Sequence, residues 1–481
     1  MNENLTTLMD RSKILTRVRE RTQPWDIVVI GGGATGMGSA LDAASRGLDV
    51  LLLEQHDFGS GTSSRSTKLV HGGVRYLRQG NISLVREALR ERGILLKNAP
   101  HVVHRQEFIV PCYSLWQKLF YGVGLKIYDM LAGKYSLGRS RILSPDQTSQ
   151  MLPNVSKNSL TGGVLYTDGQ FDDTRLLIDM AVTASERGSV LLNYTAVRSI
   201  TKDTDGKVNG VEFEDVLAGG KFTVQAKSVI NATGAYCDPV RKMSDDSVRP
   251  VITFARGSHI VLDARFLPGN AALMIPKTSD GRVLFCIPWL GHVLVGTTDV
   301  PCETAALGDV VSEEEIDFLL ETAGAYLAEK PTRDDILSRF AGVRPLISSG
   351  GAANTAKLSR SHELFVDGVG LITITGGKWT TYRRMAEDAV DAAAKIGGLN
   401  AGKCVTETLT IDPPKTTGGE RLHPDLPYTR DDVVRAIRDE MAMFHEDVLA
   451  RRTRAQFLNE RAASELVPLV EEIMAEVRSK K

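Results

Sequence analysis

The stretch "DIVVIGGGATGMGSALDAASRGLDVLLLEQ", residues 26–55, constrains this chain more than any other. The β-branched run from Ile27 to Ile30 ends in glycines, a helical segment rich in small residues follows, and a second apolar run from Val50 to Leu53 ends at Glu54. Strand, helix and strand in that order form one βαβ unit. Gly31, Gly33 and Gly36 give it the G-x-G-x-x-G spacing: a tight turn, a backbone open to a pyrophosphate, and close packing of helix on strand. The helix start adds oriented N–H donors for an anion. Glu54 stands about 20 residues beyond, where a carboxylate accepts from ribose hydroxyls. That carboxylate also speaks against a 2′-phosphate and hence against NADP. NAD and FAD both remain open on this evidence.

A chain of 481 residues exceeds one typical domain; at about 150 residues each, two to four are expected. A net charge of −1 and a charged fraction of 24% give no indication of nucleic-acid binding or disorder. Cys112, Cys237, Cys286, Cys302 and Cys404 are scattered, without a CxxC or a histidine at ligand spacing, so reduced thiols and no metal site are expected. The first turns of the chain offer no apolar run suited to a signal peptide, and no stretch is apolar enough to span a bilayer. The expected location is cytoplasmic, with surface association left open.

Further along, Ser144 and Pro145 open a helix, and the pair Ser312 and Glu315 caps another whose Ile316, Leu319, Leu320, Ala323 and Leu327 share one face. Short alternating strands fill 251–300. A nucleotide domain assembled from separated segments and interrupted by a mainly antiparallel one accounts for this order. The linker "DPPKTTGGERLHPDLP" then leads to a charged helical tail.

Residues 59–77, "GSGTSSRSTKLVHGGVRYL", carry neither helical nor strand periodicity. Thr62, Ser63, Ser64, Ser66 and Thr67 are too many hydroxyls for a core segment; a solvated turn or a wrap around pyrophosphate and flavin edges both account for them. Residue by residue the stretch resembles FAD-dependent glycerol-3-phosphate dehydrogenases of the aerobic type. The likeness continues in "RGSHIV" (256–261), "FCIPWLGHVLVGTTDV" (285–300), "AGVRPL" (341–346) and "ITGGKWTTYRRMAEDAVD" (374–391), covering about residues 25–395 in order.

The resemblance implies a glutathione-reductase-type FAD-binding Rossmann domain, an inserted, mainly antiparallel α+β substrate domain, and a C-terminal helical domain. The corresponding ranges are 24–104 with 166–250 and 340–398, then 105–165 with 251–339, then 399–481 as linker and shortened helical domain. It implies oxidation of sn-glycerol 3-phosphate to dihydroxyacetone phosphate, with electrons passed to a quinone or another acceptor; a peroxide-forming oxidase using O2 is the alternative. An amino-acid oxidase would need a carboxylate site instead of the phosphate site that Arg75, Arg344 and Lys378 suggest.

FAD would be held by Gly31, Gly33, Gly36, Glu54, Thr62, Ser63, Ser66, Lys68, Val197, Ala232, Gly234, Gly377 and Thr380. His259, at the matching family position, is the candidate base for the C2 hydroxyl, since a neutral imidazole accepts a proton near pH 7; a histidine satisfied within the core is its bland alternative. Arg75, Tyr76, Arg344, Arg360 and Lys378 are substrate candidates, because guanidinium forks suit a phosphate dianion. Arg344 and Lys378 are also expected to steady developing negative charge during catalysis. Residues 115–134 combine aromatic, aliphatic and lysine side chains, as an interfacial helix would, or as two core helices would. With the resemblance this gives an expectation of peripheral contact on the inner face of the cell membrane. Between "LTIDPP" and "LHPDLPYT" the chain is shorter than its family usually is, which bears on any homodimer or acceptor contacts made there.

Overall fold

The computed structural model describes residues 8–480 except 75, 76, 78, 79, 280, 306–309, 348–361 and 415–417. Strand Trp25–Ile30 lies inside an eight-stranded sheet, between Val50–Leu53 and Lys221–Asn231, parallel to both. Val190–Leu192 and Ile372–Gly376 extend the parallel order outwards, and His362–Val366 closes one edge antiparallel. Ile27, Val28, Val29, Leu51 and Leu52 are wholly buried, as strands covered on both faces require. Helix Ala34–Ser45 packs between helices Asp173–Glu186 and Tyr382–Ile396. The strand ends that carry Gly31, Glu54, Ala232 and Gly377 all border one crevice, where doubly wound sheets take ligands.

The second sheet has ten strands and is antiparallel apart from Ala272–Ile275 beside Val103–Cys112. Its long pair Ile252–Asp263 and Ile336–Ile347 runs antiparallel from Ile252 opposite Ile347 to Leu262 opposite Ile336 and carries both His259 and Arg344. Strand Gly162–Phe171 belongs to this sheet, as does Leu69–Val70, so boundaries at 166 and 340 fall inside strands of the second sheet. Helix Pro145–Met151 starts on a Ser144 capping box. Helix Glu313–Gly324 starts on the Ser312 box and buries Ile316, Leu319, Leu320 and Ala323, with Leu327 beyond its end. Its Glu315 also accepts from Ser258 Oγ at 2.8 Å and Thr298 Oγ1 at 2.7 Å, pinning strand Ile252–Asp263 to the connection that follows Gly296, near His259.

Residues 115–132 form one helix instead of two. Gly122, Leu125, Tyr128 and Ala132 face inwards, while Leu115, Trp116, Leu119, Phe120, Val123, Ile127 and Met130 are exposed. Lys118 and Lys126 fold back onto the Thr161 and Ser140 carbonyls at 2.8 and 2.6 Å, so two of the three lysines are not free anchors. No helix among the described residues is long and apolar enough to cross a membrane.

After the linker, hairpin Arg421–His423 with Leu426–Thr429 precedes helices Arg430–Arg438, Ala455–Leu458 and Glu460–Ser479, with a π-helical turn at Asp447–Arg452. Their apolar faces share a core with Trp289 and Phe340 of the second sheet. Charge ties them to the first sheet as well. Asp57, fully buried just beyond Glu54, accepts from Arg451 Nε at 2.5 Å and from Arg452 NH1 and NH2 at 2.6 and 2.9 Å. Removing Asp57 would take the shared carboxylate from both buried guanidiniums, and breaking a buried ion pair costs about 3–5 kcal/mol.

Candidate active site

Both sheets contribute to a cavity of about 530 Å³. At one end, Gly31 takes φ +107° and lies so close to Ala232 that a Cβ would meet its carbonyl oxygen at 2.8 Å. Gly33 precedes helix Ala34–Ser45, whose first N–H, on Ala34, donates to Ser63 Oγ at 2.9 Å. The N–H groups that follow have no acceptor within the helix, and the cavity wall passes Ala34 and Thr35. Donors and the positive end of a helix dipole are thus offered to an anion. Gly36 is off the wall: a Cβ there would fall 1.9 Å from the Gly31 carbonyl oxygen, so this glycine lets helix close on turn.

Glu54 lines the same end, its oxygens accepting from Gly32 N–H at 2.6 Å and His56 N–H at 2.8 Å. Burial raises its pKa despite those donors. Val197, Ala232 and Gly234 complete this wall. A glycine turn, a helix N-terminus and a carboxylate at the end of the second strand suit a dinucleotide, and FAD fits this donor set.

The hydroxyl-rich loop runs along the cavity, with Thr62, Ser63, Ser66 and Thr67 on its wall. Its hydroxyls are already engaged: Thr62 donates to the Val343 carbonyl at 2.5 Å, and Ser66 to Asp173 at 2.7 Å. The Ser63 carbonyl accepts from Trp379 Nε1 at 2.8 Å. Opposite lie Gly377, with φ +68°, and Thr380, whose hydroxyl accepts from His71 N–H at 3.2 Å. Lys68 is placed differently from a cofactor ligand. It is fully buried off the wall, its Nζ 2.7 Å from Asp173 and 2.7 Å from the Ser64 carbonyl. Burial, seconded by Arg454 and opposed by Asp173, pushes its pKa down to about 7.

His259, Arg344 and Lys378 all line the cavity, from three separate chain segments. His259 is 1% exposed, stacks on Phe340 with centroids 4.8 Å apart, and has Nε2 3.0 Å from Thr67 Oγ1. Burial first, then Lys68 and Arg344, hold its pKa well below the ordinary histidine value, so the ring is neutral at pH 7. Arg344 donates to Thr297 Oγ1 at 3.0 Å and the Thr298 carbonyl at 3.2 Å, and pairs with Asp299 at 3.3 Å. It lies over Gly257, where a Cβ would meet NH2 at 2.2 Å. Arg75, Tyr76 and Arg360 lie outside the described residues.

Other groups at the site escape sequence reasoning. Arg65 and His71 line the wall from within the same loop. Tyr128 OH accepts from Gly72 N–H at 2.8 Å and donates to Asp168 at 2.6 Å, while Arg92 holds the other Asp168 oxygen at 2.7 Å. The only signal for this bracing is the glycine pair itself, which admits a hydroxyl close to the backbone: a Cβ on Gly72 would meet Tyr128 OH at 2.5 Å.

Residues 26–383 match the family model of FAD dependent oxidoreductases, and residues 372–480 match the model of the C-terminal domain of alpha-glycerophosphate oxidase. The mitochondrial glycerol-3-phosphate dehydrogenase of Rattus norvegicus is 41% identical over 515 residues, covering 95% of this chain and 71% of that protein. That span exceeds the whole of this chain, so the relative carries residues that are missing here. The structure of the glycerol-3-phosphate dehydrogenase from Bacillus halodurans, complexed with FAD, has a TM-score of 0.78 at 30% identity and covers 99% of this chain and 95% of that one. L-alpha-glycerophosphate oxidase from Mycoplasma pneumoniae shares the fold, with a TM-score of 0.63 at 17% identity over 82% of this chain and all of that one. With two overlapping family models and these identities spanning nearly its whole length, the chain belongs to the FAD-dependent glycerol-3-phosphate dehydrogenase family.

Proposed function

We propose that the protein oxidises sn-glycerol 3-phosphate to dihydroxyacetone phosphate and passes the electrons to a quinone or another acceptor. The observation that carries this reading is the convergence of His259, Arg344 and Lys378 on the cavity that the glycine turn and Glu54 also line. FAD, when bound, supplies the acceptor for the C2 hydride. His259, neutral and buried, takes the C2 hydroxyl proton. Arg344 and Lys378 bind the phosphate and steady negative charge at the C2 oxygen, and the Asp299 carboxylate keeps the Arg344 guanidinium aimed. Arg75, Tyr76 and Arg360 remain proposed substrate ligands. Adding glycerol 3-phosphate to the anaerobic yellow protein should bleach it; a spectrum that stays unchanged would sink the reading. Offering quinone or O2 to the bleached protein then separates dehydrogenase from oxidase. The relative at 41% identity is named a dehydrogenase, whereas the oxidase likeness at 17% carries fold alone, which favours slow reoxidation by O2.

We further propose that the exposed face of helix Leu115–Ala132, with Trp116 at 71% and Met130 at 80% exposure, seats the protein on the cytoplasmic face of the cell membrane. Cosedimentation with anionic vesicles should be lost in Trp116→Glu with Phe120→Glu. Failure of the unaltered protein to bind vesicles at low salt would remove the idea. A homodimer is proposed only by analogy with the family.

A further inference from the structure

No residue of the C-terminal helices lines the cavity, yet two of their side chains reach the wall behind His259. Phe457, in helix Ala455–Leu458, meets Phe340 edge-on with centroids 4.8 Å apart, and Phe340 is the ring on which His259 stacks. Arg454, directly before that helix, has φ +65° and is 1% exposed. Its NH2 donates to the Ser64 carbonyl at 2.8 Å and lies 3.4 Å from Asp173 Oδ1, while NH1 donates to Thr174 Oγ1 at 2.9 Å.

Asp173 is where this cluster meets the hydroxyl-rich loop. Its Oδ2 accepts from Ser66 N–H at 3.1 Å, Ser66 Oγ at 2.7 Å and Lys68 Nζ at 2.7 Å. The residues on either side of Thr67 are therefore both drawn to one buried carboxylate, and Lys68 takes φ +59° to get there. Thr67 is left facing the other way, with its hydroxyl 3.0 Å from His259 Nε2. Burying a guanidinium is costly unless charge and hydrogen bonds answer it. Here the answering groups are the Ser64 carbonyl of the loop that carries Thr67 and the Asp173 carboxylate, from the start of helix Asp173–Glu186, to which that loop is tied.

We infer that Arg454 is a positioning residue for the reaction, contributed by the C-terminal domain: through the Ser64 carbonyl and Asp173 it fixes the loop so that Thr67 orients the His259 ring. This rests on His259 as the proposed base, and the test keeps the two ideas apart. Arg454→Met, Thr67→Val and the double variant are compared for kcat with glycerol 3-phosphate, for FAD content by absorbance, and for the His259 signal by 15N-histidine NMR, assigned with His259→Asn. Each single change should lower kcat roughly tenfold with FAD retained, and the double variant should fall little further, because both remove one restraint. Arg454→Lys should recover much of the loss and Thr67→Ser most of it.

Multiplying effects in the double variant would overturn the inference. So would a His259 signal left unmoved by Arg454→Met. If Arg454→Met does not fold, Arg454→Gln takes its place in the NMR comparison, and a His259 signal that it leaves unmoved counts against the inference. Full turnover by His259→Asn would instead overturn the base assignment, leaving the NMR comparison to judge the orientation of the ring.

Discussion

At its dinucleotide end the cavity wall is backbone: Gly31 against Ala232, the start of helix Ala34–Ser45, and a carboxylate held by two N–H groups. Elsewhere the wall is side chain, with an imidazole, a guanidinium and an ammonium contributed from positions 259, 344 and 378. The first region needs residues that are absent, glycines that leave room; the second needs groups that are present and held at an angle. Damage should therefore read out differently: as loss of cofactor in the first region and as loss of turnover with cofactor retained in the second.

The sharpest way to break that contrast is His259→Asn, which is expected to lower turnover by about 10² to 10⁴ while FAD stays bound, measured by dye reduction and flavin absorbance. Loss of FAD in this variant would show that the two regions are not separable. Arg344→Lys keeps the charge but loses the fork. Catalytic efficiency should fall about 10- to 100-fold, as for a lost charged hydrogen bond, in steady-state kinetics; unchanged efficiency would make this arginine a structural partner of Asp299 alone.

At the dinucleotide end, Gly36→Val pushes a side chain into the Gly31 carbonyl and should cost about 1–3 kcal/mol of stability. Thermal melting and FAD retention should both drop; normal flavin content would show that the turn yields. The smallest effect is electrostatic. Because His259 is neutral in the fold well below its ordinary pKa, the unfolded chain binds a proton that the folded one refuses as pH falls through 6.5. The unaltered protein should thus lose stability relative to His259→Gln between pH 7 and 5, and parallel curves would place the ring in a wetter setting.

The same contrast explains what could be read from the chain alone. Gly31, Gly33 and Glu54 sit within one local unit, and spacing along the chain is enough to find them. The hydrogen bond between Thr67 and His259 spans 192 positions and leaves no periodic trace. Lys68 illustrates the cost: among hydroxyls and glycines a lysine reads as an anion ligand, and nothing local reveals that its anion is Asp173, 105 positions away. The strands around 166 and 340 mislead similarly, since apolar alternation locates a strand without telling which of two sheets receives it. In helix Leu115–Ala132 composition announces an amphipathic surface, but only packing shows that Tyr128 turns inwards to brace Gly72.

The ion pairs of Asp57 with Arg451 and Arg452 carry a consequence for how the molecule comes apart. Releasing the tail would strip the buried Asp57 carboxylate beneath the nucleotide crevice of both guanidiniums, while Arg451 and Arg452 would keep Asp447 and the Glu440 carbonyl within the tail. An intermediate with the tail undocked and the crevice intact is thereby penalised at the crevice. Tail and crevice should melt as one cooperative unit, so that cofactor, by tightening the crevice, also protects the last helices from a protease that never comes near it.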